Sequence, residues 1–209
     1  MISLILIIVL SYFAGSIPSS IICSKLFRGI DIRDHGSGNA GATNAWRVLG
    51  WKIGLIVMIV DVGKGVLATL LISQIRIDPI SIGDDVVQII AGSSAVLGHI
   101  WTVFAGFRGG KGVGTAAGML FSIYPLSGVV CLIVFLLTLF ISRFVSLSSI
   151  LAAISFPIAT VLLKNYQQYS TALFAFACLM AILIIFTHRS NIKRLLKGEE
   201  KKIGKGEHL

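Results

Sequence analysis

Charge is scarce in this sequence of 209 residues. Charged side chains make up 13% of it, whereas a soluble domain carries about 25%, and this excludes an ordinary water-soluble domain. Hydrophobic residues account for 56% of the chain and the mean hydropathy is +0.92, which excludes a disordered chain. Only four prolines are present, too few for a collagen-like or proline-rich protein. The class that remains is an integral membrane protein.

Cysteine is sparse as well. The three cysteines, Cys23, Cys131 and Cys178, lie far apart, each in an apolar segment. An odd number at wide spacing argues against a disulfide framework and against a zinc site. We therefore expect small thiols buried among apolar side chains.

Long apolar runs dominate the rest of the chain. A helix needs about 20 residues to cross a hydrocarbon core about 30 Å thick, and the uncharged run at 113–142 is too long for one such helix. Pro125 disfavours helical backbone in the residue before it, so we divide the run there. The sequence then predicts an all-α protein with seven membrane-spanning helices: Ile2–Cys23, Ile53–Ile75, Val86–Phe104, two within Val113–Ser142, Leu147–Leu163 and Thr171–Thr187.

The basic residues predict the orientation of these helices. If the N-terminus lies outside, most of the 18 basic residues fall on the inner side, as the positive-inside rule requires. A single span at 113–142 would instead place the basic C-terminal segment outside. The inner segments hold five, two, one and seven basic residues respectively: 24–52, 105–112, 143–146 and 188–209.

The first polar cluster is a glycine-rich loop at 35–50. Its G-x-G-x-x-G spacing indicates dinucleotide binding only between a strand and a helix, and here it follows a membrane span. Glycines let backbone N–H groups converge on an anion, and Arg47 offers a bidentate fork to phosphate. We therefore favour an anion site over a flexible polar loop. Four small polar side chains complete it: Ser37, Asn39, Thr43 and Asn44.

The second cluster runs into a predicted helix. It consists of Arg108, Gly109, Gly110, Lys111, Gly112 and Thr115. A glycine-rich turn at a helix N-terminus suits an anion, and Lys111 adds a point charge. A nucleotide-binding P-loop would have glycine at Ala105 and Ser or Thr at Gly112, so a nucleotide triphosphatase is not expected. Close helix packing is the alternative explanation for Gly114 and Gly118.

Weaker signals lie elsewhere in the chain. Ser146 could equally cap a helix or contact a substrate. His188 and Asn191 share a face if a helix continues through them, with a surface histidine as the alternative. Lys64 and Asp61 share a face inside a span, where charge is costly and often functional. A structural ion pair and a substrate-facing Lys64 both stay open.

Several catalytic motifs are missing. No histidine is followed five residues later by aspartate, so the H-x4-D acyltransferase motif is absent, as are G-x-S-x-G and H-E-x-x-H. Few acids lie on the predicted inner face, so we expect no metal and no other cofactor. His99 alone is more typical of a structural hydrogen bond. The cations, N–H groups, small hydroxyls and histidines suit the binding of two phosphate groups beside the membrane.

The polar segments together resemble the bacterial membrane glycerol-3-phosphate acyltransferases that use acyl phosphate as donor. The resemblance covers essentially the whole chain, with the segments in order. Arg108 replaces a lysine expected in many relatives and Gly114 an alanine, which preserves charge and small size. The matching stretches are 37–47, 61–65, 98–99, 107–115, 146–150 and 188–191.

The resemblance implies an activity and a location. A fatty acyl group would pass from acyl phosphate to the sn-1 hydroxyl of glycerol 3-phosphate, giving lysophosphatidate and inorganic phosphate, the first step of phospholipid synthesis. The partners would be these substrates and membrane lipids, with no nucleic acid; acyl-CoA and acyl carrier protein stay open as donors. We expect one catalytic domain over 1–198 in the bacterial inner membrane, its site facing the cytoplasm. A charged cytoplasmic tail over 199–209, frayed beyond Gly198, would follow.

The chemistry of the polar residues agrees with this activity and suggests a role for each. We expect Ser37, Arg47, Lys111 and His188 to be catalytic. In this hypothesis Arg47, Lys111 and His188 hold the glycerol phosphate, and the N–H groups of 109–115 cradle the donor phosphate. The base is either His188 or a phosphate oxygen of a substrate. The remaining predicted substrate-binding residues are Asn39, Thr43, Asn44, Lys64, Arg108, Gly109, Gly110, Gly112, Thr115, Ser146 and Asn191.

Three other functions fit less well. A transporter would need polar residues through the spans and usually an internal repeat, and the spans offer little beyond Asp61 and Lys64. A membrane anchor would carry diffuse basic charge, whereas Arg47 and Lys111 lie in glycine-rich polar loops. A lipid phosphatase or an alcohol-phosphate transferase would need clustered carboxylates for a metal.

Overall fold

The computed structural model describes residues 1–167 and 171–204, which form α-helices joined by turns, with no β-strand among them. Three short 3-10 helices lie at Ile32–Asp34, Ile72–Gln74 and Val103–Ala105. The all-α architecture predicted from the apolar runs is therefore confirmed. The α-helices are α1 Ile2–Ser16, α2 Ser19–Arg28, α3 Ala42–Leu49, α4 Trp51–Leu70, α5 Asp84–Ile100, α6 Val113–Ile123, α7 Pro125–Ser142, α8 Val145–Leu162, α9 Thr171–Thr187 and α10 Arg189–Leu196.

Five helical segments in the described part of the chain are long and apolar enough to cross a membrane. The pair α9 and α10, bent by 60° where they meet, would make a sixth. Helix α6 is apolar but has 11 residues, or roughly 16 Å of length, which is short for a hydrocarbon core about 30 Å thick. The five segments are Ile2–Arg28, Trp51–Gln74, Asp84–Ala105, Pro125–Ser142 and Val145–Leu162.

The predicted break at Pro125 is present. Helix α6 ends at Ile123 and α7 begins at Pro125, in the first-turn position where proline's missing N–H leaves no hydrogen bond unmade. The same point divides the chain into two compact units. Unit 1 is Met1–Ile123, and unit 2 runs from Tyr124 to the last described residue, Gly204.

The first predicted span lies within the candidate span Ile2–Arg28, but its helix is interrupted between Ser16 and Ser19. Proline lacks a backbone donor and disfavours helix before it, and α1 ends just before Ile17 and Pro18. The break leaves carbonyl groups without helical partners. Lys64 donates to the carbonyl of Ile17 at 2.9 Å, and the Thr102 hydroxyl donates to that of Ser16. Polar side chains of other segments are thereby drawn to the break.

Helix packing in unit 1 relies on small residues. Helix α4 packs on α3, α5 and α6, and α1 packs on α5. A methyl group at Gly118 of α6 would overlap the Val62 carbonyl oxygen of α4, so close packing does explain this glycine. A fully buried apolar cluster of Ile7, Val87 and Ala91 lies between α1 and α5.

Unit 2 is a helical hairpin extended by two further helices. Helix α8 packs on α7 and α9, and α10 touches α8 and α9. The Gln167 amide donates to the Ser127 hydroxyl at 2.7 Å. This hydrogen bond joins the turn after α8 to the first turn of α7. All three cysteines are free. Cys131 is buried as expected, whereas Cys23 and Cys178 are only half-buried.

Candidate active site

The first glycine-rich loop is braced by Asn44, which lies in the first turn of α3 and is 1% exposed. Its Nδ2 donates to the carbonyls of Ile32 at 3.1 Å and His35 at 3.0 Å. Its Oδ1 accepts a hydrogen bond from the Ser37 backbone N–H at 2.8 Å. The amide of Asn44 is therefore committed to the loop, so this predicted ligand contributes by shaping the backbone.

An ion pair connects this loop with the segment after α5. Arg33 pairs with Asp31 at 2.7 Å, and its Nη1 donates to the Ala105 carbonyl at 2.8 Å. The hydrogen bond with Arg33 lowers the pKa of the Asp31 carboxyl to about 2, although slight burial opposes the effect. In turn, the hydrogen bond with Asp31 raises the pKa of the Arg33 guanidinium. The pair therefore stays charged at any physiological pH and holds the two segments side by side.

The second glycine-rich loop folds back onto the end of α5. The N–H of Gly109 donates to the Ile100 carbonyl at 3.1 Å, and that of Gly110 donates to the His99 carbonyl at 3.0 Å. These two N–H groups are thus occupied, which departs from the expectation that all of 109–115 face an anion. The first N–H groups of a helix have no hydrogen-bond partner within the helix. The N–H groups of 112–115, at the start of α6, are therefore the ones suited to bind an anion.

The predicted ligands of unit 1 differ in exposure. Thr115 lies fully buried in the first turn of α6, which makes it a poor surface contact. Arg47 is in the last turn of α3. Ser37 and Arg108 are exposed, whereas Asn39, Thr43, Arg47 and Lys111 are half-buried.

Asp61, Lys64 and His99 form a buried charge network inside unit 1. Each of the three is at most 7% exposed. Lys64 Nζ lies 2.8 Å from Asp61 Oδ1 and 3.2 Å from His99 Nδ1. The Ser19 hydroxyl donates to the same Asp61 oxygen at 2.6 Å. The ion pair between Lys64 and Asp61 therefore forms, and Lys64 also lines a cleft.

A narrow cleft in unit 1 adjoins this network. Its walls include Lys64 and His99 together with Ala40 of the first glycine-rich loop and Gly109 and Gly110 of the second. The fold therefore brings together two motifs that lie about seventy residues apart in the sequence. The helix break at Pro18 supplies part of the remaining wall.

Unit 2 brings Ser146 and Asn191 together on a carboxylate that the sequence did not identify. The Ser146 hydroxyl and the Asn191 amide donate to Glu200 Oε1 at 2.7 and 2.6 Å. Arg194 Nε donates to Glu200 Oε2 at 2.7 Å. The expectation that the tail is frayed beyond Gly198 is wrong at this residue. The N–H of Ile203 also donates to the Arg143 carbonyl at 2.9 Å.

The contacts of Glu200 determine its ionisation. Partial burial raises the pKa of the Glu200 carboxyl, but the hydrogen bonds from Ser146, Asn191 and Arg194 together outweigh it. The net result is a pKa below the ordinary value of 4.5. Glu200 is consequently an anion at neutral pH, held by two residues that the sequence predicted to bind substrate.

His188 is buried at the bend between α9 and α10 and is 3% exposed. The alternative of a surface histidine is therefore wrong. Its Nδ1 lies 2.8 Å from the Ile184 carbonyl oxygen. Since a carbonyl can only accept, Nδ1 carries the proton in the neutral ring, and Nε2 carries the lone pair. Asn191 follows on α10 and is also buried.

The sequence matches, over residues 5–198, the family described as glycerol-3-phosphate acyltransferase. The protein of that name from Chlorobium chlorochromatii (strain CaD3) is 48% identical over 234 aligned positions that cover both chains in full. The one from Chlorobaculum tepidum is 45% identical, with 99% of each chain covered.

Two crystal structures are similar to this fold. They are the glycerol 3-phosphate form and the lysophosphatidic acid form of PlsY (YgiH), an integral membrane glycerol 3-phosphate acyltransferase. Each is 38% identical and covers 97% of this chain and 96% of its own. The TM-scores are 0.83 and 0.81 respectively.

Proposed function

Because the chain belongs to the glycerol-3-phosphate acyltransferase family, we propose that it transfers a fatty acyl group from acyl phosphate to the sn-1 hydroxyl of glycerol 3-phosphate. It is an integral membrane acyltransferase of phospholipid synthesis. The products of the proposed reaction are lysophosphatidate and inorganic phosphate. No cofactor takes part in this scheme, because the anhydride donor is already activated.

One observation carries the proposal. The fold matches along 97% of its length a membrane enzyme whose two forms are named for glycerol 3-phosphate and lysophosphatidic acid. These molecules are the acceptor and the product of the reaction proposed here. The choice of acyl phosphate as the donor rests on the resemblance of the glycine-rich segments and on the chemistry of their cations.

The reaction requires the protein mainly to bind and orient its two substrates. Acyl phosphate is a mixed anhydride, so the acceptor hydroxyl attacks its carbonyl carbon directly. The C–O bond to the phosphate then breaks, phosphate leaves with the bonding pair, and the hydroxyl proton passes to a base. The enzyme must hold two anions together and align the hydroxyl with the carbonyl. It must also stabilise the negative charge that develops on the carbonyl oxygen.

In unit 1, we assign phosphate binding to the two glycine-rich loops. Arg47 and Lys111 neutralise the glycerol phosphate, and Ser37 orients it. The N–H groups of 112–115, with the exposed Arg108 nearby, cradle the donor phosphate, and Asn39 and Thr43 assist. Asn44, Gly109 and Gly110 act by shaping the loops. Thr115 and Lys64, both buried, support them from within.

In unit 2, we assign His188 the role of general base. The Ile184 carbonyl fixes the proton on Nδ1, so Nε2 is the ring nitrogen to which we assign the proton of the acceptor hydroxyl. A phosphate oxygen of a substrate is the competing base. Ser146 and Asn191 orient the glycerol phosphate, and Glu200 sets the rotamers of both by accepting their hydrogen bonds.

We further propose the arrangement in the membrane. The distribution of basic residues supports an N-terminus outside and a C-terminus in the cytoplasm. This parity needs seven passes, so the short helix α6 counts as one of them. Residues 1–198 then act as one catalytic domain in the bacterial inner membrane, its site facing the cytoplasm. The segment 199–209 lies on the cytoplasmic side and contributes Glu200 to this domain.

A donor comparison tests the proposal. Purified protein in detergent is given glycerol 3-phosphate with palmitoyl phosphate, palmitoyl-CoA or palmitoyl acyl carrier protein, and the lysophosphatidate formed is isolated. We expect efficient turnover with palmitoyl phosphate alone and the acyl group on the sn-1 oxygen by NMR. Faster turnover with either thioester would overturn the donor assignment, and a product acylated at another oxygen would overturn the regiochemistry.

A further inference from the structure

We propose that the buried charge network of Asp61, Lys64 and His99 positions the second glycine-rich loop for phosphate binding. The network fixes the His99 ring in one tautomer and presses its Nε2 edge against Gly110. This inference rests on the proposed function in one respect, since that function assigns phosphate binding to this loop. Its residues are positioning residues that act through the loop backbone.

The hydrogen-bonding groups of Lys64 fix the direction of each contact. An ammonium group has three protons and no acceptor. One proton is directed at the Ile17 carbonyl at 2.9 Å and one at Asp61 at 2.8 Å. The third is directed at His99 Nδ1 at 3.2 Å. All three donors are thereby used inside the protein.

The contact with Lys64 sets the tautomer of His99. Because Lys64 can only donate, Nδ1 must accept, and the ring proton must then lie on Nε2. A proton on Nδ1 would face the ammonium group, and the carboxylate oxygen of Asp61 is 3.6 Å away, too far for a hydrogen bond. The neutral Nε2–H ring is therefore the form that the network selects.

The Nε2 edge of His99 lies directly against the loop. A methyl group at Gly110 would overlap Nε2, so only glycine fits beneath the ring. The backbone is attached at the same place, because the Gly110 N–H donates to the His99 carbonyl at 3.0 Å. Ring and carbonyl of one residue thus fix one glycine, one residue before Lys111 and two before the N–H groups at the start of α6.

The cost of the network argues that it has a function. Charges inside a membrane helix are expensive, and those that occur are usually paired and functional. Here the buried Asp61–Lys64 ion pair holds the His99 ring against Gly110. An apolar side chain would fill the same space without the cost of desolvating charge. A network that served only to join α4 and α5 would not require His99 Nε2 to contact Gly110.

Two isosteric variants separate the two edges of the ring. His99→Asn keeps an acceptor near the Nδ1 position for Lys64 and leaves the Gly110 side empty. His99→Gln keeps an amide near the Nε2 position against Gly110 and gives up the Nδ1 contact. Ser94→Ala, five residues earlier on α5, removes a buried hydroxyl that donates to the Ile90 carbonyl of its own helix and serves as the matched control.

The kinetic test compares KM and kcat for both substrates. We expect His99→Asn to raise the KM for palmitoyl phosphate about tenfold, as loss of one well-placed contact would. The KM for glycerol 3-phosphate should rise as well, because Lys111 lies in the same loop, whereas kcat should change less than twofold. His99→Gln should restore most of both KM values. Ser94→Ala should match the wild type. Rescue by Asn instead of Gln, or an equal fall in kcat for both variants, would overturn the proposal.

A spectroscopic readout keeps this test independent of the proposed reaction. Nitrogen NMR of labelled histidine reports the tautomer, and the His99 signal is assigned by its loss in the variants. We expect the Nε2–H form in the wild type and a mixture in the double variant Asp61→Asn with Lys64→Met, which removes both charges together. An unchanged tautomer in the double variant, or an Nδ1–H ring in the wild type, would overturn the proposal.

Phosphate binding distinguishes failure of this proposal from failure of the proposed function. Titration with inorganic phosphate, followed by phosphorus NMR, measures the loop without any acyl transfer. A wild type that binds phosphate but transfers no acyl group would overturn the reaction alone. Phosphate affinity equal in wild type and His99→Asn would overturn the positioning role, whatever the activity.

Discussion

Single residues in this protein carry contacts that span whole loops. Asn44 is the clearest case, because one buried amide satisfies two carbonyls and one N–H of the first glycine-rich loop. Its sequence setting, a small polar residue among glycines, predicted an anion ligand. The sequence alone does not distinguish a side chain that touches a ligand from one that holds the backbone around it, because both need small polar groups.

Replacing Asn44 by aspartate should destabilise unit 1. The variant keeps the acceptor for the Ser37 N–H but turns a carboxylate oxygen toward the carbonyls of Ile32 and His35. Two buried carbonyls lose their donor, and we expect a loss of about 2–4 kcal/mol with a clear fall in Tm. Thermal unfolding in detergent, followed by tryptophan fluorescence, measures it. A Tm equal to that of the wild type would show that the amide does not hold the loop.

His188 provides a test of the base. His188→Asn retains a donor near the position of Nδ1 for the Ile184 carbonyl and removes the Nε2 lone pair. We expect kcat to fall about 100-fold or more, as for loss of a general base, with little change in Tm. A kcat within a fewfold of the wild type would assign the proton to a phosphate oxygen of a substrate instead.

At the scale of elements, the helix ends were predictable where the cause is local. Pro125 stops one helix and starts the next through its own ring, and the sequence locates that break correctly. Pro18 has the same chemistry but lies in an apolar run of ordinary span length, and the length of that run predicts one unbroken helix. The role of Gly118 in close helix packing was predictable from the sequence. The contact between His99 and Gly110 was not, because it depends on a fold that brings the two residues together.

The end of the described chain is an element that the sequence did not predict. The contact between Glu200 and Ser146 joins residues 54 positions apart, and no periodicity or motif connects them. An acidic residue in a basic tail normally indicates a solvated segment. Only the position of α10, which carries Asn191 and Arg194 to the same carboxylate, makes this contact possible.

Glu200→Gln should remove a pH-dependent part of the stability of unit 2. The folded-state pKa of Glu200 is lowered, so its stabilisation is complete above the ordinary value of 4.5 and is lost as the pH falls through the lowered pKa. We expect the variant to be less stable by about 1–2 kcal/mol at neutral pH and the two proteins to converge in acid.

Thermal unfolding of both proteins across the acidic range measures this difference. Glu199→Gln, which removes the neighbouring exposed carboxylate, is the matched control and should follow the wild type at every pH. A difference between wild type and Glu200→Gln that persists unchanged in acid would show that the charge of Glu200 contributes nothing.

At the scale of the molecule, the sequence predicted the class of protein from its composition and the helical architecture from its long apolar runs. It did not predict that the chain divides into two compact units at Pro125, since division depends on which helices pack together. The proposed number of passes and the proposed orientation rest on the distribution of basic residues along the sequence.

Labelling of single cysteines tests the proposed orientation. In a variant with Cys23, Cys131 and Cys178 replaced by serine or alanine, a cysteine is introduced by Asp84→Cys or by Lys197→Cys, both at exposed positions. We expect an impermeant thiol reagent applied to intact cells to label the first and to reach the second only after the membrane is opened. The reverse pattern would invert the orientation.

We propose that the two glycine-rich loops and their cations bring acyl phosphate and glycerol 3-phosphate together for direct transfer. The most direct test measures inorganic phosphate and lysophosphatidate in one assay of the purified protein. We predict equal amounts of both, nearly complete loss of both in Lys111→Ala, and full activity in Lys164→Ala, a matched lysine far along the chain in unit 2. Phosphate without lysophosphatidate would contradict the account, as would full turnover in Lys111→Ala.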